Sequence, residues 1–227
     1  LNTKPDTVYT IPEQVQSIGE KAFLEVTDLQ EVRFSSNLHK IDKYAFSGCT
    51  ALKKIEIPDN VEIIGTFAFN NCSSLSTVSA TAAYALRRST DTGASLPEGI
   101  TEIGEYAFAN TALTSVVIPD SVTEIGSEAF RNCESLTSVV IPDSVTELGS
   151  SVFYGCSELT SVSIGRGLST VGCEAFRGCS SLTSMTIPDT VTSIDESAFY
   201  ECTALAELFV GKGVESIAPG AFTGCSV

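Results

Sequence analysis

Nine phenylalanines, each preceded by alanine or valine, recur at Phe23, Phe46, Phe69, Phe108, Phe130, Phe153, Phe176, Phe199 and Phe222; their spacings are 23, 23, 39, 22, 23, 23, 23 and 23 residues. A period this short and this regular forces a stacked array. One unit is too small to bury its own apolar side, and neighbours bury it together. Cysteine follows three residues later in seven units, at Cys49, Cys72, Cys133, Cys156, Cys179, Cys202 and Cys225, and Val26 and Thr111 take that place in the other two.

The columns of the unit predict its path. A V-x-I core (Val139 and Ile141, Val162 and Ile164, Met185 and Ile187) alternates with the period of a half-buried strand. Pro58, Pro119, Pro142 and Pro188 follow it and end the ladder by removing a donor. A V-x-x-I stretch then leads to Gly19, Gly65, Gly104, Gly126, Gly149 and Gly172, with Asp42 and Asp195 as substitutes. Asp tolerates the left-handed region better than most residues, so this column is expected to be a positive-φ turn, although Ala218 does not fit. The next position suits the start of a short helical turn. Gly or Asn before the cysteine suits a left-handed cap. With strands about 4.8 Å apart, nine units make a rod on the order of 45 Å long.

The run I-P-x-x-V-x-x-I-G-x-x-A-F-x-x-C-x-x-L, intact from Ile118 to Leu136 and from Ile141 to Leu159, resembles the BspA-like leucine-rich repeat family. The resemblance covers nearly the whole chain. It implies one leucine-rich repeat solenoid over residues 1–227, of the α/β repeat class with short strands and helical turns. The array would be curved and right-handed, with a parallel sheet on its concave face. Members are mostly bacterial surface or secreted proteins, several implicated in adhesion, so the resemblance implies an extracellular or cell-surface location. Ligand residues are not part of its motif. In such repeats the buried Asn or Cys column bonds loop backbone, and the cysteines are accordingly expected to be reduced and structural despite their even number. Cys173 lies off that column and is expected to be exposed and unpaired.

The 39-residue spacing places an insertion at about residues 79–95, beside a strand. It carries Tyr84, Arg87 and Arg88, and insertions on one face of a solenoid often serve binding, although a longer surface loop is also cheap to tolerate. On the strands themselves, one outward column runs Glu31, Lys54, Thr77, Ser115, Ser138, Ser161, Ser184, Glu207, and the next runs Arg33, Glu56, Ser79, Val117, Val140, Ser163, Thr186, Phe209. Arg33, Lys54, Glu56, Val117, Val140 and Phe209, with Tyr84, Arg87 and Arg88, are therefore the expected ligand contacts. The strip covers about 600 Å², less than the roughly 800 Å² each partner gives in a standard interface, so a protein ligand would also need the insertion or the corners.

Charge narrows the partners. Twenty-eight acidic residues against 13 basic give a net charge of −15, which disfavours nucleic acid. No apolar run approaches the length of a membrane span, and the first ten residues lack a secretory leader; an exported form would have lost one. With one histidine, His39, and acidic residues that recur instead of converging, no catalytic or metal constellation is evident and no cofactor is expected. The corner column Glu13, Ser36, Asp59, Glu98, Asp120, Asp143, Arg166, Asp189, Lys212 alternates in sign from Asp143 onward and reads as an electrostatic ladder. Calcium across Glu98, Asp120 and Asp143 is a weaker reading than solvated carboxylates. The expected function is a non-enzymatic adhesion or binding module for protein or glycan, host extracellular matrix among the candidates. The alternative is a rigid spacer that presents other domains.

Overall fold

The computed structural model describes residues 7–80 and 96–227. Each unit contributes one longer strand, one two-residue strand and a run of turns, and the units stack in parallel as a β-solenoid. The longer strands are β1 (Thr7–Thr10), β3 (Leu29–Arg33), β5 (Lys54–Ile57), β7 (Thr77–Ala80), β9 (Val116–Val117), β11 (Ser138–Ile141), β13 (Ser161–Ile164), β15 (Ser184–Ile187) and β17 (Glu207–Val210). The short ones are β2 (Ser17–Ile18), β4 (Lys40–Ile41), β6 (Ile63–Ile64), β8 (Glu102–Ile103), β10 (Glu124–Ile125), β12 (Glu147–Leu148), β14 (Thr170–Val171), β16 (Ser193–Ile194) and β18 (Ser216–Ile217). Alternation in β5, β11 and β15 follows the sequence: Ile55 and Ile57, Val139 and Ile141, Met185 and Ile187 face inward.

The core is a column structure. From Phe23 to Phe222 the repeated phenylalanine rings stack nearly parallel, with centroids 4.9 to 5.5 Å apart. The leucine, isoleucine and cysteine columns pack around that spine. Each cysteine of the column sends its thiol to the phenylalanine carbonyl of the unit before, as in Cys72 to Phe46 at 3.1 Å and Cys156 to Phe130 at 3.2 Å. Burial pushes these thiols up, to about 11 at Cys49 and Cys133 and about 12 at Cys202, so they stay protonated and donate. All eight cysteines are free thiols.

The expected helical turns do not form. The third side of each unit is a string of overlapping turns with no helix among the described residues. Its donors go outward to the next unit: Tyr44 N–H to Thr66 O at 3.0 Å, Phe46 to Ala68 at 2.8 Å, Gly48 to Asn70 at 2.8 Å. A helix would satisfy those donors within its own unit; here they knit neighbours together. The geometry needs left-handed backbone at two positions. One is the expected cap before the cysteine column, at Gly48, Asn71, Asn110, Asn132, Gly155, Gly178 and Gly224, which Glu25 and Glu201 join without being glycine or asparagine. The other is unexpected and mostly not glycine: Lys21, Tyr44, Phe67, Tyr106, Glu128, Ser151, Glu174 and Ser197 hold φ of 53 to 60°. Each such residue costs roughly 1–2 kcal/mol, and those from Lys21 to Glu174 donate to the following unit, as Tyr106 does to Ser127 O at 3.0 Å.

The glycine column needs a different explanation from the one its sequence suggests. Among the positions expected to have positive φ, none of Gly19, Gly65, Gly104, Gly126, Gly149 or Gly172 does. Glycine is there because units touch: a Cβ on Gly149 would sit 2.3 Å from Ser127 N, and one on Gly104 2.6 Å from Thr66 N. At Gly19, in the first unit, a Cβ would meet nothing within 4 Å. Gly149→Ala should therefore destabilise the chain by about 2 kcal/mol or more, whereas Gly19→Ala should be neutral or slightly stabilising. Paired chemical melts would check this, and equal effects at the two sites would contradict the close-contact explanation.

Candidate ligand-binding face

Register places the outward columns as the sequence spacing predicts. Glu31 lies beside Lys54 and Lys54 beside Thr77; Ser138 lies beside Ser161, Ser184 beside Glu207, Val117 beside Val140, and Thr186 beside Phe209. Two residues of the segment expected to be inserted, Ser79 and Ala80, belong to β7, and residues 81–95 lie outside the described residues. Ser79 and Ala80 complete β7 opposite Glu56 and Ile57, and the chain resumes with buried Leu96, whose N–H bonds Val117 O at 3.1 Å. Only the long-strand sheet is broken here, since β7 does not pair with β9 while β6 still pairs with β8. Tyr84, Arg87 and Arg88 lie outside the described residues.

Three expected contacts converge at the N-terminal end. Arg33, Lys54 and Glu56 line an open groove of about 560 Å³ with Val8, Gln30, Glu31 and Lys53. Within it Arg33 pairs with Glu31 at 2.7 Å and Lys54 with Glu56 at 2.5 Å, along each strand. Register sets Glu31 against Lys54, so the four charges form a checkerboard. Exposed pairs of this kind contribute only about 0.2–1 kcal/mol, so an incoming ligand can exchange them at little cost. Farther along, the face is lined by Ser138, Ser161 and Ser184, with Val140 55% exposed and Phe209 63% exposed; Val117 is half-buried.

The corner column behaves differently from a ladder of opposed side chains. Asp143 Oδ1 accepts the backbone N–H of Arg166 at 2.7 Å, and Asp189 Oδ1 that of Lys212 at 2.8 Å. The acid is read by main chain and not by the basic side chain. Among the described residues no group of three His, Cys, Asp or Glu side chains is arranged to hold a metal ion. His39 Nδ1 sits 2.6 Å from Asn37 O in a corner. Cys173 is half-buried, not exposed, and its thiol is pushed up by desolvation first and then by Glu174, Glu196 and Asp195. Fewer thiolates form there than at a free surface cysteine.

Two features escaped the sequence reading. On the turn side, Tyr44, Phe67 and Tyr106 stack at 4.7 and 4.5 Å. Tyr106 then hands over through Glu128 to Arg131, and Arg131, Tyr154, Arg177 and Tyr200 interleave. The 23-residue spacing held the signal, but the residue types differ from unit to unit, so no column stood out. Phe67 stacks against a ring on either side, and Tyr154 takes two guanidinium groups. The other feature is on the short strands, where register brings Glu102, Glu124 and Glu147 side by side.

The BspA type leucine rich repeat region matches residues 3–87 and 97–227, in six copies. The chain belongs to the BspA-type leucine-rich repeat family. Among solved structures, it is similar to a leucine rich repeat protein of T. pallidum, with 27% identity over 96% of this chain and 75% of that one, and a TM-score of 0.53. A leucine-rich repeat protein from Bacteroides ovatus ATCC 8483 shares 26% identity over 97% and 76%, with a TM-score of 0.48. The pneumococcal vaccine antigen PcpA shares the fold at 23% identity over 93% and 58%, with a TM-score of 0.60. No curated protein matches. Leucine-rich repeat domains of this kind are in general binding scaffolds. No helix among the described residues is long and apolar enough to cross a membrane.

The glutamate row yields a pH prediction. Desolvation first, then Glu102 and Glu147, raise the Glu124 carboxyl above its ordinary range. A folded-state value above the unfolded one means the folded chain holds the proton more tightly, so ionised Glu124 costs stability at neutral pH. Glu124→Gln should raise the melting temperature at pH 7, and this advantage should shrink as pH falls through the raised value. Added salt should shrink it as well. A Glu124→Gln advantage that grows on acidification would be the wrong sign.

Proposed function

We propose that the chain is a non-enzymatic binding module, surface-displayed or secreted, that engages a protein or glycan through its long-strand face and the inserted segment. The observation that carries this is the N-terminal groove, where Arg33, Lys54 and Glu56 meet the exposed Val8 in one concavity. Both signs of charge are present there in weakly held pairs, so the groove suits a polar or mixed-charge ligand. Phe209, exposed at the far end of the same face, supplies an apolar anchor of the kind that concentrates binding energy. The inserted segment follows β7 in the sequence, and its Tyr84, Arg87 and Arg88 are the residues we assign to enlarge a strip otherwise too small for a standard interface. The surface or secreted location is the one the family resemblance implies.

A rigid spacer is the second reading, favoured by the unbroken phenylalanine stack from Phe23 to Phe222. An array of immobilised host matrix proteins and glycans separates the two. The wild-type chain should give a saturable signal, and Arg33→Ala, Lys54→Ala and Phe209→Ala combined should weaken it at least about tenfold, or 1.4 kcal/mol. A second variant lacking residues 82–89 should weaken it too. No signal from a well-folded wild-type chain would remove the binding reading in favour of the spacer.

A further inference from the structure

Apart from the gap between β7 and β9, the long-strand ladder is interrupted once, between β13 and β15. The two strands stay side by side, and the opening between them lies at their corner ends. Corner sequences explain why it falls there. Pro142-Asp143 is followed one unit later by Gly165-Arg166-Gly167, and Pro188-Asp189 by Gly211-Lys212-Gly213. Each glycine corner closes on the proline corner before it. A Cβ on Gly165 would lie 2.4 Å from Pro142 O, and one on Gly211 2.4 Å from Pro188 O. Asp143 and Asp189 fasten these two approaches by accepting the N–H groups of Arg166 and Lys212. The corners are thus drawn together in pairs. Between the pairs, among the described residues, no backbone hydrogen bond joins the Arg166 corner to the Asp189 corner.

That interval is a cleft of about 740 Å³, in the size range of small-ligand sites. Ile164 and Ile187 within it are buried, so a ligand meets the rim. The rim is polar, with the hydroxyls of Ser163, Thr186 and Thr190, the Arg166 guanidinium and the Asp189 carboxylate. Arg166 and Asp189 are not paired with each other, and Asp189 spends Oδ1 on main chain. Among the described residues, Asp189 Oδ2 and the guanidinium are therefore both uncommitted. One strand farther along, register sets Phe209 beside Thr186, and Phe209 is 63% exposed. Unlike the turn-side aromatics, it stacks on no neighbouring ring among the described residues.

We propose that this cleft binds a neutral saccharide; the inference rests on the binding role proposed above and names its ligand class. Arg166 and Asp189 cancel in charge, so an ion of either sign gains little there. Sugar hydroxyls, by contrast, accept from the guanidinium and donate to the carboxylate, and the three rim hydroxyls can do either. A pyranose also carries C–H groups on its ring face, which suit the electron-rich face of an aromatic ring such as Phe209. From β13 to β17 is two strand spacings, about 10 Å, a span that an oligosaccharide covers and a single sugar ring does not. The saccharide would lie over the strand ends from Arg166 to Phe209, without entering between the strands. An acidic glycan would instead bring its charge to a chain of net charge −15.

Saturation-transfer NMR on the intact protein tests this with cellotriose, maltotriose and triacetylchitotriose, and with a hyaluronan tetrasaccharide as the acidic counterpart. At least one neutral trisaccharide should saturate the wild type with a Kd below about 1 mM, and Arg166→Ala should weaken it about tenfold or more. Phe209→Ala should weaken the same saccharide and remove the transfer to its ring C–H protons. Both positions are exposed, and melting curves check that both variants fold. The acidic tetrasaccharide should bind at least about tenfold more weakly than the best neutral one. No saturable binding by any of the three neutral sugars, unchanged affinity in Arg166→Ala, or preference for the acidic sugar overturns the proposal. Should Arg166→Ala misfold, Phe209→Ala decides in its place, and unchanged affinity there has the same consequence. Repeating the matrix and glycan array with Arg166→Ala separates this site from the broader role. An undiminished array signal, with no trisaccharide bound by the wild type, leaves that role standing and removes this site alone.

Discussion

The turn side holds the array together, because its alternate backbone donors are satisfied by carbonyls of the neighbouring unit. Every second N–H of each turn string is spent on the next unit, and this demands left-handed backbone at residues such as Tyr44, Glu128 and Glu174. The conformational cost is repaid by a bond across units at each of these positions and by the phenylalanine stack directly beneath. Ring centroids near 5 Å and strand neighbours near 4.8 Å are commensurate, so one spacing satisfies both the stack and the ladders. A helix in this position would be wider than a turn string and would splay the units.

With the spacing set on one side, the strand sides can vary. The long-strand sheet is broken between β7 and β9, whereas the short-strand sheet is continuous from β2 to β12. The corner at Gly165-Arg166-Gly167 shifts one unit without disturbing the phenylalanine or thiol columns, since Cys179 still reaches Phe153 O at 3.2 Å. The face therefore departs from strict repetition in its residues, with a checkerboard of charges at one end and the exposed Val140 and Phe209 toward the other.

Charge follows the same logic. Parallel stacking in register repeats any charged position at every unit, so like charges accumulate unless the sequence intervenes. On the corners it intervenes by turning the carboxylate to main chain, as Asp143 and Asp189 do. On the short strands Glu102, Glu124 and Glu147 remain together, and the middle one carries the cost.

Much of this was legible from residue spacing. A strict period of 23 made the columns visible, and columns are what a solenoid stacks, so the buried phenylalanines, leucines and thiols and the outward strand residues followed directly. So did most of the left-handed residues before the cysteine column, because glycine and asparagine announce them, whereas Glu25 and Glu201 gave no such signal. Side-chain patterns could not reveal how a turn string spends its donors, since that choice is made by backbone in the next unit. For the same reason the glycine column was read as a φ requirement when it is a contact requirement. The row of glutamates and the interleaved arginines and tyrosines depend on which units are neighbours and how far each is displaced. The sequence by itself determined the repeat, its core and its exposed columns, because burial repeats with the period. Only the tertiary structure decided where neighbouring units close up and where they part, because that depends on backbone-to-backbone approach across units, which no single unit encodes.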